Sequence, residues 1–359
     1  MKIGLVGLSR SGKTSLFNLL TGQSVATSTF GASRGELHMG VARVPDERVD
    51  RLSALFKPKK TTSATFEVVD LAGITKGERQ GLDAKEFRNA DALLHVVRAF
   101  PDATGAAPSP RLDIVDLETE LILADLEVIE RRLQRLEASI KKKRTDADVK
   151  EQAILLRLTP ALEAETPIRA MDLPEDEAKA IRGFTFLSQK PILHCLNLAE
   201  KEIGRAASLV ESFGLADLAG RPATRLGWVS AVIEAEVAQL AGDEQAAFLA
   251  DLGLAEPAIK RVLTDCYTLL GLISFFTVGE DEVRAWSVPR GTRAQEAAGA
   301  IHSDIARGFI RAEVVGYDEL LAAEGSMALV RERGQFKLEG KEYVVRDGEV
   351  CHVRFNVAK

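Results

Sequence analysis

Residues 2–20 read KIGLVGLSRSGKTSLFNLL, and their order decides the fold. The apolar run 2–6 suits a buried strand. Gly7 to Thr14 then fit G-x-x-x-x-G-K-[ST] at every fixed position. Leu16, Phe17, Leu19 and Leu20 suit the buried side of a helix. Strand, glycine-rich loop and helix are the context that this phosphate-binding motif needs. Glycines let backbone N–H groups converge on phosphate oxygens, and a helix N-terminus adds favourable potential. The motif predicts that Ser9, Arg10, Ser11, Gly12, Lys13, Thr14 and Ser15 surround the phosphates of a nucleotide. Lys13 would bridge the β- and γ-phosphates, and the Thr14 hydroxyl would bind Mg²⁺.

Further along, FEVVDLAGITKG places a strand at 66–70 that ends in D-x-x-G, with Asp70 and Gly73 at its fixed positions. A carboxylate at a strand end can hold the Mg²⁺ shell through water, and the Gly73 N–H can meet a γ-phosphate. Ras-like proteins follow this motif with a Gln that orients the attacking water. Here the residue is Ile74, so hydrolysis either uses another group or is slow. ALLHVV at 92–97, KPILHC before Asn197, and LGWVSA at 226–231 read as further strands. Their alternation with helical stretches predicts an α/β nucleotide-binding domain with a mostly parallel sheet. Asn197 and Glu200 are spaced as in the Asn-Lys-x-Asp box that reads guanine, but Leu198 and Glu200 replace its Lys and Asp. The small turn at Ser230-Ala231 suits packing against a base edge.

Between Asp116 and Arg144, Ile122, Leu126, Ile129, Leu133, Leu136 and Ile140 recur at coiled-coil spacing. A polar turn, TDADVKEQ, follows, and AILLRLTPALEAE predicts a returning helix broken near Pro160. The pair forms a helical hairpin inserted into the α/β core. It is either a packing seam or a recognition arm. Arg131, Arg132, Arg135 and Lys141–Lys143 are its candidates for RNA contact, a solvated charged face being the alternative.

The 359 residues predict two or three domains, and a net charge of −6 argues against a protein basic all over while leaving room for a local basic face. No apolar run approaches the roughly 18–20 residues that span a bilayer, so no membrane partner is expected. Cys195, Cys266 and Cys351 are odd in number and scattered. They suit a reducing cytoplasm and offer no metal spacing.

The order of these segments resembles the YchF / Obg-like ATPase family over nearly the whole chain. The resemblance is carried by GLSRSGKTSLFNLLTG, VARVPDERVDRL, FEVVDLAGITKG, DALLHVVRAF, ETELILADLEVIE, KPILHCLNLAE and VSAVIEAE, and by the run from LGLISFFTVGEDEVRAWSVPRGT to HVRFNV. It implies a P-loop NTPase domain at 1–112 and 190–273, an inserted helical domain at 113–189, and an α+β TGS-type, β-grasp-like domain at 274–359. It implies a cytoplasmic, Mg²⁺-dependent, ribosome-associated switch that binds ATP and takes GTP more weakly, since the family carries Asn-x-x-Glu in place of the guanine box. Asn197 and the backbone at Leu198 would then contact adenine. RNA or ribosome contact would run through the helical and TGS-type domains. His302 and His352 read as structural, and Phe275, Phe276 and Trp286 as core.

Two departures stand out. The family loop reads G-x-P-N-x-G-K-S, and here Ser9 and Arg10 replace its Pro and Asn. In related switch proteins that Asn helps hold a potassium ion. The Arg10 guanidinium either takes the cation's place as an internal arginine finger, or points to solvent or pairs with an acidic neighbour. The first switch lacks the family's Thr-Ile-Glu, leaving Thr27, Thr29 and Ser33 as possible replacements. Three functions stay open: a slow ATPase switch, a nucleotide-binding scaffold without turnover, and a GTP-preferring switch.

Overall fold

The computed structural model describes residues 1–25, 38–70 and 85–356. The chain divides into two compact units, one formed by 1–41 and 67–269, the other by 42–66 and 270–359.

The first unit is built on a sheet of β1 (Lys2–Val6), β2 (His38–Arg43), β4 (Thr65–Asp70), β5 (Ala92–Ala99), β6 (Ile192–Leu198) and β7 (Thr224–Val229), in the order β2-β4-β1-β5-β6-β7. β1 pairs in parallel with β4 on one side and β5 on the other, and β6 and β7 continue the parallel register. β6 is buried at every position, the continuous apolar pattern of a strand covered on both faces. The direction of winding reverses at β1. In such sheets the crevice opens at the carboxyl ends of the strands flanking that reversal. Here β1 leads into the glycine-rich loop and β4 ends at Asp70, and Asn197 lies near the same end of β6.

The inserted hairpin belongs to this unit. Its first helix runs Pro110–Lys142 and its second Asp146–Glu163. Ile122, Ile129 and Leu136 are buried, and Leu126, Leu133 and Ile140 pack beside them against Ile154, Leu155, Leu158 and Leu162. The heptad seam is therefore an internal packing seam. Two local expectations are corrected. Only Thr145 of the expected polar turn stays outside the helix, where its hydroxyl accepts from the Asp148 N–H at 3.2 Å as an N-cap. The second helix also runs through Pro160 to Glu163. The buried Leu158 and Leu162 on either side hold it there.

The second unit has the sheet order β11-β10-β12-β8-β9-β3. Its strands are β3 (Lys60–Thr62), β8 (Leu272–Thr277), β9 (Glu282–Pro289), β10 (Phe309–Gly316), β11 (Lys337–Glu339) and β12 (Glu349–Phe355). β8 and β9 form an antiparallel hairpin, while β8 and β12 lie parallel at the centre. The helix Ala294–Ile301 buries Ala294, Ala297 and Ala298 against Phe275, Val288 and Val314. This is the strand order of a β-grasp. Phe275 and Phe276 are core as expected, and Trp286 is half-buried, its indole N–H donating to Thr277 Oγ1 at 3.0 Å. Residues 42–66, left by the sequence reading in the nucleotide-binding domain, pack in this unit instead. β3 pairs in parallel with β9, and Arg48 on the helix Glu47–Phe56 reaches Asp347 at 2.8 Å and lies over the Phe276 ring.

Candidate nucleotide site

The loop after β1 needs its glycines for identifiable reasons. A Cβ on Gly7 would lie 2.6 Å from the Val96 carbonyl oxygen, and one on Gly12 would lie 2.2 Å from Asn197 Nδ2. Gly12 also has φ 90°, a left-handed conformation that side chains resist. The helix Lys13–Thr21 starts immediately after it and buries Leu16, Phe17 and Leu20. Ser9 and Arg10 are exposed at the crown of the loop, and Arg10 holds φ 65°. Among the described residues Arg10 has no ion-pair partner.

Lys13, Thr14 and Asp70 meet at the mouth of this loop. Lys13 Nζ lies 2.9 Å from Asp70 Oδ1, and Thr14 Oγ1 donates to Asp70 Oδ2 at 3.2 Å. A hydroxyl and a carboxylate side by side are hard oxygen donors of the kind that suit Mg²⁺. The ammonium next to them supplies positive charge for phosphate. Among the described residues Ser11 Oγ and Ser230 Oγ are buried without a hydrogen-bond partner, as polar atoms facing a ligand would be. The residues present thus fit a Mg²⁺–nucleotide. Ser15 continues the helix, half-buried. Gly73, Ile74, Thr27, Thr29 and Ser33 lie outside the described residues.

Asn197 ends β6 with its carboxamide buried between two other segments. Its Nδ2 donates to the Ser11 carbonyl at 2.9 Å, and its Oδ1 accepts from the Ala231 N–H at 3.0 Å. One side chain thereby ties the phosphate loop to the start of the helix Ala231–Val237 after β7. Each of its two polar atoms keeps one further hydrogen-bonding position. Leu198 is buried, whereas Glu200 is exposed at the first position of the 3₁₀ helix Glu200–Ser208. The structure therefore brings Ser11, Gly12, Lys13, Thr14, Asp70, Asn197, Ser230 and Ala231 together and leaves the Glu200 carboxylate toward solvent.

Comparison with known proteins bears on this site. Residues 2–130 match a family model described as a 50S ribosome-binding GTPase, and residues 272–356 match the YchF-GTPase_C model, described as a protein of unknown function. The ribosome-binding ATPase YchF of Bacillus subtilis is 42% identical over 363 residues, covering 99% of both chains. That of Pasteurella multocida is 40% identical over 99% of both. The chain belongs to the YchF family. The structure of the Schizosaccharomyces pombe YchF GTPase superposes with a TM-score of 0.86 at 27% identity, covering 99% of this chain and 97% of that one.

Beside the loop of this YchF-family chain lies a buried polar network that sequence reasoning did not single out. His95 on β5 and His194 on β6 stand in register on adjacent strands, their Nδ1 atoms 3.0 Å apart. His194 Nε2 is 3.3 Å from Glu118 Oε1, and Glu118 also binds Arg169. One of the two Nδ1 atoms donates to the other, and the Glu118 carboxylate, which only accepts, lies beside His194 Nε2. Burial lowers both histidine pKa values, which keeps them neutral. Burial works to raise the Glu118 pKa, yet His194 and Arg169 outweigh it and hold the carboxyl at about 2. The available signal was two histidines at matching places in two otherwise apolar strand patterns. Nearby, the buried Asp125 accepts from the Leu187 and Ser188 N–H groups at 2.8 and 2.7 Å. Burial pushes the Lys190 pKa down to about 8, and its ammonium donates to the Arg88 and Ala90 carbonyls at 2.9 and 2.5 Å.

Proposed function

We propose that this YchF-family protein is a nucleotide switch that binds ATP, hydrolyses it slowly and works on the ribosome. The observation that carries the reading is the meeting of Lys13 and Thr14 at Asp70, below a loop whose backbone admits only glycine at Gly7 and Gly12. Ser9 to Ser15 cradle the phosphates with backbone N–H groups. Lys13 neutralises the β- and γ-oxygens. Thr14 and Asp70 would hold Mg²⁺, which when bound would offset charge on the phosphate oxygens. Water attacks the γ-phosphorus in line, the bond to the bridging oxygen breaks, and ADP and phosphate leave. Positioning and charge supply the rate. With Ile74 at the water-orienting place, turnover is slow, and the exposed Arg10 supplies the cation for developing charge.

The base preference follows from Glu200. Reading guanine requires a fixed carboxylate that accepts from both N1–H and the amino group. Glu200 is exposed and carries one more methylene than Asp. Asn197, the Leu198 backbone and the Ser230-Ala231 turn then favour adenine, with GTP bound more weakly. The relatives' names point to the ribosome as partner, and the absence of a membrane-spanning helix among the described residues fits work in the cytoplasm. Lys13→Ala tests the assignment. It should abolish phosphate release, and hydrolysis at the parent rate would overturn it.

A further inference from the structure

The chain that carries D-x-x-G leaves β4 at Asp70 and enters β5 at Ala92. Its start is tied to the phosphate loop, because Asp70 meets Lys13 and Thr14. Its end is tied elsewhere. The short helix Lys85–Arg88 closes it, and the last carbonyls of a helix look outside it for donors. Lys190 supplies them from across the fold. Its ammonium donates to the Arg88 carbonyl at 2.9 Å and to the Ala90 carbonyl at 2.5 Å. Lys190 stands just before β6, where the inserted segment returns to the sheet. Asp125, on the first hairpin helix, accepts there from the Leu187 and Ser188 N–H groups, and the Ser188 carbonyl accepts from the Arg169 N–H at 3.0 Å. One lysine thereby joins the hairpin to the exit of the D-x-x-G segment. The arrangement is costly. Lys190 is 9% exposed, with Asp91 and Asp125 attracting its charge and Arg88 opposing it. Neither carboxylate closes an ion pair with it: Asp91 accepts from the Lys2 N–H at 2.7 Å, and Asp125 is committed to its two N–H groups. Burial therefore prevails, and the pKa falls to about 8. An ammonium buried against carbonyls alone is an expensive way to fill space.

We propose that Lys190 is a positioning residue for hydrolysis, holding the exit of the D-x-x-G segment at Arg88 and Ala90 in step with the inserted hairpin. The inference rests on the ATPase reading and adds to it a residue that touches neither nucleotide nor metal. Asp70 is fixed at one end of the segment by the phosphate loop, so what holds the other end sets how the segment lies between them. The charged form makes the stronger bonds, roughly twice those of a neutral amine. The hold therefore weakens as Lys190 loses its proton, and turnover weakens with it.

Phosphate release and ATP binding, each followed on the full chain with Mg²⁺ across neutral and alkaline pH, test this. In the unaltered protein kcat should decline through an alkaline limb centred at about pH 8, while the Kd for ATP stays within about twofold across it. Lys190→Met keeps the stem and removes the donor. At neutral pH its kcat should be about tenfold lower with Kd for ATP within about twofold of the parent, and its limb should be gone. Asp125→Asn removes a negative charge that favours the ammonium, so the limb should move to lower pH. A lysine that served the fold alone would lower the melting temperature without shaping the pH profile of kcat. Absence of the limb in the unaltered protein would overturn the proposal, and that arm needs no variant to fold. A limb that persists in Lys190→Met, or stays in place in Asp125→Asn, belongs to another group and would overturn it too. So would loss of ATP binding in step with kcat in Lys190→Met. Unchanged kcat in that variant removes the role of Lys190 and leaves the ATPase reading intact. No phosphate release from the unaltered protein at any pH removes the ATPase reading and this role with it.

Discussion

Replacing Asn197 by alanine should unfold the first unit more easily, whether or not nucleotide is bound. The carboxamide is 4% exposed, accepts from the Ala231 N–H at 3.0 Å and donates to the Ser11 carbonyl at 2.9 Å. Truncation leaves a buried donor and a buried acceptor without partners, at about 1–3 kcal/mol each, so the loss is about 2–6 kcal/mol. At roughly 2–4 °C per kcal/mol for a unit of this size, the melting temperature should fall by about 4–24 °C. Asn197→Asp sharpens the test. One oxygen still accepts from Ala231, but the other sets a buried negative charge against the Ser11 carbonyl. At neutral pH this variant should be less stable than Asn197→Ala. It should recover as the pH falls and the acid becomes a donor. Differential scanning calorimetry without nucleotide reads both effects. Unfolding of Asn197→Ala within 1 °C of the parent, together with lost ATP affinity, would refute the clamp and leave Asn197 as a base reader alone.

Further outcomes follow from the buried polar groups. Asp125→Ala leaves the Leu187 and Ser188 N–H groups without their acceptor and should cost about 2–6 kcal/mol, read as a lower denaturation midpoint in urea. His95 and His194 have folded pKa values below their unfolded value of about 6.5, so the unfolded state binds more protons there. Their contribution is complete above that pH and is lost as pH falls below it. The melting temperature should drop between pH 7 and pH 5, and His95→Gln/His194→Gln should flatten the drop. Glu118, held at about 2, contributes above its unfolded value and is lost only as pH falls well below 4.5, a separate and more acidic window. Cys195, Cys266 and Cys351 are buried with raised pKa values, so a thiol reagent at pH 8 should label none of them until denaturant is added.

Much of the first unit is legible in the sequence because its signals are local. The phosphate loop sits between its strand and helix within 2–20, β5 and β6 read as apolar runs, and the seam from Ile122 to Ile140 repeats regularly. What escapes the sequence depends on distant partners. Residues 42–66 read as part of the nucleotide-binding domain because they lie between two of its segments in the chain. The parallel pairing of Lys60–Thr62 with Glu282–Arg284 and the reach of Arg48 to Asp347 show that they pack with the C-terminal sheet. The same holds in the site. Lys13, Thr14 and Asp70 follow from motif spacing, but the commitment of Asn197 to Ser11 and Ala231 needs the ends of β1, β6 and β7 brought together at one edge of the sheet. His95 and His194 became a pair only once β5 and β6 were in register.

The most direct test of the central claim is nucleotide binding and turnover on one preparation of the full chain. ATP and GTP are titrated with Mg²⁺, and phosphate release is then followed in sodium and in potassium. The account predicts tighter binding of ATP than of GTP, and slow release that is indifferent to potassium because Arg10 already supplies the cation. Preference for GTP, or ATP binding with no phosphate release under either salt, would contradict it.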